Sequence, residues 1–310
     1  MFGFVLRRVG VAIPTILVII TIAFFMMRAA PGGPFDLERP MPEETRQILL
    51  ANYGMDQPLW RQYLDYMGDL ARGDLGPSLK LRDKQVNEII AEGFPVSATI
   101  GLFSMLLAIT LGSFLGSVAA LRQNTAGDFS VMTFAMVGIS IPPFVMGPIL
   151  ALVFGLYLGL VPTGGLDPRY GMTPDRLILP IITLALPQIA IIARLMRASM
   201  IEVIRSNYIR TARAKGLSAH AVIFRHALRS AVLPLVSYLG PASAAVISGS
   251  LVIERVFQLP GIGKHFVDAA LQRDYTVVMG VVIIYATLII VLNLLADLLY
   301  GVLNPKVKYE

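Results

Sequence analysis

The side chains best suited to chemistry are concentrated in one basic segment. Residues 206–234 read SNYIRTARAKGLSAHAVIFRHALRSAVLP and carry five Lys/Arg and two His with no acid. Ser206 or Asn207 can cap a short helix that runs through Lys215. Gly216 suits a left-handed C-terminal position, and Ser218 can begin a second helix. These cations can supply charge pairing at a non-permanent interface, where charges favour docking and register more than affinity.

Other interpretations of the segment are weaker. Two helices joined at a glycine also describe a DNA-binding helix-turn-helix, but apolar runs on both sides tie this loop to a bilayer, so we expect no nucleic acid. Alternatively, the positive charges only keep the loop on the cytoplasmic side of the membrane, and the loop has no partner. His220 and His226 are six residues apart and fall on different helix faces. We therefore predict no metal site.

Catalytic patterns are missing from the sequence. The chain has no cysteine, and Ile247–Leu251, which holds Ser248 and Ser250, is not G-x-S-x-G. Gly263-Lys264 lacks the rest of a phosphate-binding loop. We predict no catalytic residue and no cofactor in this chain.

Composition indicates a membrane protein. Of 310 residues, 55% are hydrophobic and 15% charged, against about 25% charged in soluble domains. The mean hydropathy is +0.69. Val9–Met27 could be a signal peptide, but its length and the lack of a clean cleavage site favour a retained span. Five more apolar runs make six predicted spans: Ser97–Leu121, Phe129–Leu160, Leu177–Met200, Ala231–Ile253 and Val277–Leu299. Pro142-Pro143 predicts a break in the third span.

Loop charges predict the orientation. Basic residues follow spans two and four and flank both chain ends, including Lys306 and Lys308, whereas residues 31–95 hold eleven acids and seven bases. The positive-inside rule then places both termini in the cytoplasm. We divide the chain into residues 1–30 with the first span, a small external helical cap at 31–95, and a five-helix core at 96–310 with its cytoplasmic loop at 202–230. In the cap, Pro42–Leu50 and Pro58–Ala71 are predicted helices.

The basic loop resembles the cytoplasmic E-A-A-x3-G-x9-I-x-L-P loop of ABC-importer membrane subunits. Gly216 aligns with the consensus glycine, Arg210-Thr211-Ala212 with E-A-A, and Arg229 with the proline. The variant YIRTARAKG…RHALR…LP is similar to the dipeptide and oligopeptide permease branch. FVLRRVGVAIPT, MMRAAPGGPF, GDLGPSL, VFQLPGIGKHFVDAALQRDYTVVMG and LNPKVKY resemble the B-type subunit of that branch over nearly the whole chain.

The resemblance implies an all-α membrane protein with the type I ABC importer permease (MetI-like) fold in a bacterial inner membrane. It implies a heterodimer with a second permease, two ATPase subunits that hold ATP and Mg, and a periplasmic peptide-binding protein. Oligopeptides are the expected substrate, and dipeptides come next. The residues expected to contact the ATPase are Asn207, Tyr208, Arg210, Thr211, Ala212, Arg213, Ala214, Lys215, Gly216, Leu217 and His226.

Further candidates concern the pathway. Pro142, Pro143 and Pro187 are possible hinges, although membrane helices tolerate proline without function. Small residues at four-residue spacing, Gly240, Ala244 and Ser248, predict close helix packing or pore lining. Pro260, Gly261 and Gly263 lie in a predicted external loop that contacts the binding protein, forms an outer gate, or simply turns. An ion-coupled secondary transporter is the rival function, but such carriers bury charges in mid-span, and here Asn293 and Asp297 are the polar exceptions in span six.

Overall fold

The computed structural model describes residues 2–30, 32–35, 42–81 and 83–303, and for residues 2–5 the backbone alone. These residues form α-helices and no β-strand. The helices are α1 (Phe2–Ala29), α2 (Glu43–Asn52), α3 (Leu59–Ala71), α4 (Val86–Leu121), α5 (Ala126–Ser140), α6 (Pro143–Leu150), α7 (Pro174–Ile204), α8 (Asn207–Ala214), α9 (Ala219–Ala221), α10 (Leu228–Ala231), α11 (Leu233–Val256), α12 (Ile262–Gln272) and α13 (Tyr275–Leu303). Wide π-turns continue α6 over Ala151–Tyr157 and join α9 to α10 over Val222–Ala227. Lys306 and Lys308 of the predicted tail lie outside the described residues.

Five of the described helices are long and apolar enough to cross a membrane: α1 from Leu6, α4, α7, α11 and α13. The predicted third span is instead a helix pair, α5 and Pro143–Tyr157, bent by 104°. The break at Pro142-Pro143 is confirmed. Two consecutive prolines push Ile141 and Pro142 out of the α region, and their ψ angles are 117° and 143°.

Helix α4 starts earlier than its apolar run. Gln85 and Glu88 form a reciprocal capping box that begins the helix at Val86, and the helix continues through Pro95. The predicted domain boundary after residue 95 therefore falls inside one continuous helix. The two short helices predicted after Pro42 and Pro58 are present as α2 and α3.

Helices α4 and α7 form the centre of the bundle. A stripe of small residues at four-residue spacing is buried along α4: Ser104, Ala108, Gly112, Gly116 and Ala120. A Cβ at Gly112 would lie 2.9 Å from the carbonyl oxygen of Ile189, and one at Gly116 would collide with the carbonyl oxygen of Ala193. The two backbones are in direct contact, which a side chain larger than hydrogen would prevent.

We predict that Gly116→Ala destabilises the protein by about 2 kcal/mol, because the added methyl group overpacks a backbone contact. Thermal unfolding of the purified chain in detergent measures this effect. Gly10→Ala is the matched control, since a Cβ at Gly10 meets no atom within 4 Å. Equal unfolding temperatures for the two variants would contradict the proposed packing.

Candidate functional site

The basic loop continues directly from the centre of the bundle. Helix α7 ends at Ile204, and α8 begins two residues beyond Arg205, with Ser206 at the N-cap position. The Ser206 hydroxyl donates back to the Val203 carbonyl at 2.6 Å, so it gives α8 no side-chain cap. The chain therefore passes from α7 into α8 through a tight, hydrogen-bonded turn.

Gly216 reverses the chain after α8. Its φ is +80°, and its N–H donates to the Arg213 carbonyl at 2.9 Å. Ser218 then accepts a hydrogen bond from the Ala221 N–H at 3.3 Å and caps the second helical segment. The left-handed glycine and the Ser218 cap are both confirmed, and α8 ends one residue before the predicted Lys215.

The inner face of the loop packs on α7. Ile209 is fully buried and Ala212 is 8% exposed, and both contact a core that contains Met196 and Met200 of α7. Ala120 of α4 belongs to the same core. Ala212, one of the residues expected to meet an ATPase, therefore faces inward and fixes the position of the loop instead.

The outer face carries the charges. Most of the residues expected to contact an ATPase are exposed, namely Asn207, Tyr208, Arg210, Thr211, Arg213, Ala214, Lys215, Gly216 and Leu217, whereas His226 is half-buried. Phe224, which the sequence did not single out, is 59% exposed and its ring centroid lies 4.4 Å from that of His220. Its position in the sequence, an aromatic residue between two arginine-bearing helical segments, could have identified Phe224 as a candidate contact residue. The face combines basic and apolar groups suited to a protein partner.

A buried ion pair holds α5 to α7 near this loop. Asp128 is 1% exposed and accepts two hydrogen bonds from the Arg197 guanidinium, each 2.6 Å long. The Asn124 N–H donates to the same carboxylate at 2.9 Å. Asp128 and Arg197 are 69 residues apart in the sequence, so no local motif predicts that they pair. A planar, bidentate contact of this kind fixes orientation as well as distance.

We predict that Asp128→Asn lowers the free energy of unfolding by on the order of 3 kcal/mol, because it leaves the Arg197 charge unpaired in a partly buried position. Asp297→Asn is the control. Its ion pair with Arg8, 2.9 Å long, is largely exposed, and such pairs contribute less than about 1 kcal/mol. Denaturant unfolding in detergent compares the two, and equal losses would contradict the structural role of Asp128.

The predicted external loop, which connects α11 and α12, is tightly packed. Glu254 in the last turn of α11 is fully buried, and its Oε2 accepts the Gly263 N–H at 2.7 Å. Ser97 of α4 accepts the Ile262 N–H at 2.9 Å. A Cβ at Gly261 would collide with Glu254, and one at Gly263 would lie 2.5 Å from the Leu251 Cα. The acidic side chain thus caps the start of α12.

The burial of Pro260, Gly261 and Gly263 limits what this connection can contact. Gly261 and Gly263 are buried and Pro260 is half-buried, so neighbouring side chains must make any contact with an external protein. Burial and the adjacent Lys264 ammonium lower the pKa of His265, one turn into α12. Both effects favour the neutral form of the His265 imidazole.

The small residues of α11 do not share one environment. Gly240 is buried where a Cβ would collide with the Asn293 side chain of α13, Ala244 is half-buried, and Ser248 is exposed. A cavity of about 400 Å³ lies between α4, α11 and α13, and is lined on α11 by Leu239, Ser243, Val246, Ile247 and Ser250. These lining residues lie on a different face of α11 from Gly240, Ala244 and Ser248. Pro187 lies inside α7, which continues through it.

Comparison with known proteins places this architecture in a family. Residues 86–309 match the family model described as "binding-protein-dependent transport system inner membrane component", and residues 1–101 match its N-terminal counterpart. The chain belongs to this family of inner-membrane transport components, and it is a multi-pass membrane protein. A solved inward-facing MetNI methionine ABC transporter is similar with a TM-score of 0.54 and 18% identity, over 71% of this chain and 94% of that one. That likeness establishes the MetI-like permease fold.

Relatives with high identity to the chain include peptide permeases. The chain is 47% identical to "oligopeptide transport system permease protein OppB" of Haemophilus influenzae and 49% identical to OppB of Salmonella typhimurium, each over 100% of both chains. It is 41% identical to "dipeptide transport system permease protein DppB" of Bacillus subtilis, over 99% of this chain and 98% of that one.

Proposed function

We propose that this chain is a membrane permease subunit of an ATP-driven peptide importer and forms half of its translocation pathway. The observation that carries the proposal is full-length identity of 47–49% to OppB proteins. Oligopeptides are the proposed substrates, with dipeptides second because DppB is 41% identical. ATP hydrolysis, with its Mg, belongs to separate subunits, since the sequence lacks a phosphate-binding loop.

The basic loop is the proposed coupling element. Its inner face is attached to α7 through Ile209 and Ala212, while Arg210, Arg213 and Lys215 project outward. A force applied to this outer face reaches α7 through packed side chains without unfolding the loop. We assign ATPase contact to the exposed residues from Asn207 to Leu217, with His226 at the edge.

The proposed topology has six spans. Counting the bent pair α5 and Pro143–Tyr157 as one span gives six, and an even number puts both termini on the side of the basic loop, the cytoplasm. Residues 31–95, which include α2 and α3, then lie on the periplasmic side. The continuous helix across residue 95 joins this cap rigidly to the core.

The proposed assembly contains a second, related permease subunit, two ATPases and a periplasmic peptide-binding protein. The cavity between α4, α11 and α13 is open on the side of Leu102, Leu106 and Leu295, which are about half exposed. We assign this side to the pathway and the second permease. Residues around Pro260 and α12 are the proposed outer gate, while the Pro142-Pro143 bend and Pro187 are the hinge candidates.

The charges of the spans argue against an ion-coupled carrier. Asp128 lies in the first turn of α5 and pairs with Arg197, and Glu254 lies in the last turn of α11 with backbone N–H partners. Asp297 pairs with Arg8. Ion-coupled carriers place such groups in mid-span, where they bind and release the ion.

The test of the function is purification of the tagged chain in mild detergent, with bound proteins identified by mass spectrometry. We expect a second permease and ATPases that carry a phosphate-binding loop. Peptide uptake by vesicles containing the purified complex must then require ATP. Purification of the chain alone, still active in transport driven by an ion gradient, would overturn the proposal.

We predict that Gly216→Val weakens ATPase binding and peptide uptake while the chain still inserts in the membrane. A β-branched residue in the left-handed region costs about 1–2 kcal/mol, so the turn after α8 shifts and displaces the charged face. Copurification of the ATPases and uptake of labelled peptide measure the effect.

Gly171→Val is the matched control. Gly171 has φ +69°, and, as at Gly216, a Cβ there meets no atom within 4 Å. It lies between Tyr157 and α7, on the opposite side of the proposed membrane from the loop. Equal loss of ATPase binding in both variants would mean that backbone strain in general, rather than the coupling loop, is responsible.

A further inference from the structure

Helix α3 has three distinct faces. Gln62, Tyr63, Tyr66, Met67 and Leu70 are partly buried, and the four apolar members pack against the core that includes α1 and α13. A second face carries Arg61, Asp65 and Asp69. The third face presents Trp60 and Leu64, one helical turn apart, which are 63% and 57% exposed. An amphipathic helix with one packed face needs only polar residues elsewhere, so the third face is unexplained by the fold.

The packed face meets α1 well inside the membrane-spanning stretch. The Tyr63 hydroxyl lies 2.8 Å from the Thr21 hydroxyl, and the ring of Tyr63 stacks on Phe25 with centroids 5.5 Å apart. Thr21 precedes the end of α1 at Ala29 by eight residues, about 12 Å along the helix axis. Burial raises the pKa of Tyr66 to about 12, as expected for apolar surroundings. Helix α3 therefore lies beside the span and not beyond its end.

The apolar third face is continuous with the outer surface of α1. Ile22, Phe25 and Met26 are exposed on α1, and the stacked Phe25 and Tyr63 rings join that surface to Trp60 and Leu64. On a membrane-spanning helix, such a surface contacts acyl chains. Tryptophan is enriched at the level where acyl chains meet head groups.

We propose that α3 lies in the lipid interface of the leaflet at the C-terminal end of α1. Trp60 and Leu64 insert among the acyl chains, while Arg61, Asp65 and Asp69 face water and head groups. This arrangement is that of an interfacial amphipathic helix. Part of residues 31–95, which the sequence describes as an extramembrane cap, is then a lipid-binding element that braces α1.

The single tryptophan makes the proposal directly testable. The tagged chain, with its copurifying subunits, is reconstituted in phosphatidylcholine vesicles with or without bromine on the acyl chains near the head group. Subtracting the emission of Trp60→Phe isolates the Trp60 signal from any other tryptophan. We expect quenching by brominated lipid several-fold stronger than by aqueous iodide, with blue-shifted emission.

Two reporters in the Trp60→Phe background calibrate the result. Met26→Trp reports the exposed face of α1, and Tyr170→Trp reports an exposed loop position, since Tyr170 is 77% exposed. Iodide quenching of Trp60 equal to that of the Tyr170→Trp reporter would place the face in water and overturn the proposal. Protection from both quenchers would mean that another protein covers Trp60, and would overturn it equally.

Discussion

The rest of the structure depends on the direct backbone contact between α4 and α7. In lipid there is no hydrophobic driving force for helix association, so close packing and polar contacts must stabilise a membrane bundle. Gly112 and Gly116 let α4 approach the carbonyl groups of Ile189 and Ala193 on α7. Because α7 continues into the basic loop, this contact also sets where the loop lies relative to the other spans.

The position of the loop is fixed by its packing on α7. Ile209 is buried against Met196 and Met200, and the left-handed Gly216 sends the chain back over the same core. Nearby, Asp128 and Arg197 tie α5 to α7 with a bidentate ion pair. The adjoining ends of α4, α5 and α7 thus pack together with the loop as one unit.

The opposite end of the molecule is held by polar groups that meet backbone N–H groups. Glu254 caps the start of α12 through the Gly263 N–H. Asp274 accepts the Leu79 N–H at 3.1 Å and also the Ser78 hydroxyl, joining the beginning of α13 to the segment before α4. These carboxylates are almost fully buried. Their hydrogen bonds offset part of the cost of removing them from water, while Oε1 of Glu254 has no partner.

The sequence by itself determined what depends on near neighbours in the chain. Run length marks the spanning helices, two prolines break the α5–α6 pair by local sterics, and Gly216 and Ser218 end one helix and begin the next. The family resemblance of the loop also lies in consecutive residues.

Only the tertiary structure decided which faces meet. The glycines at 112 and 116 form a small-residue motif readable in the sequence, but nothing local says that α7 is their partner. Likewise, Gly240 packs on Asn293, so the cavity is lined by another face of α11. Periodicity describes one helix at a time, whereas the choice of partner is made by packing between residues far apart in the chain.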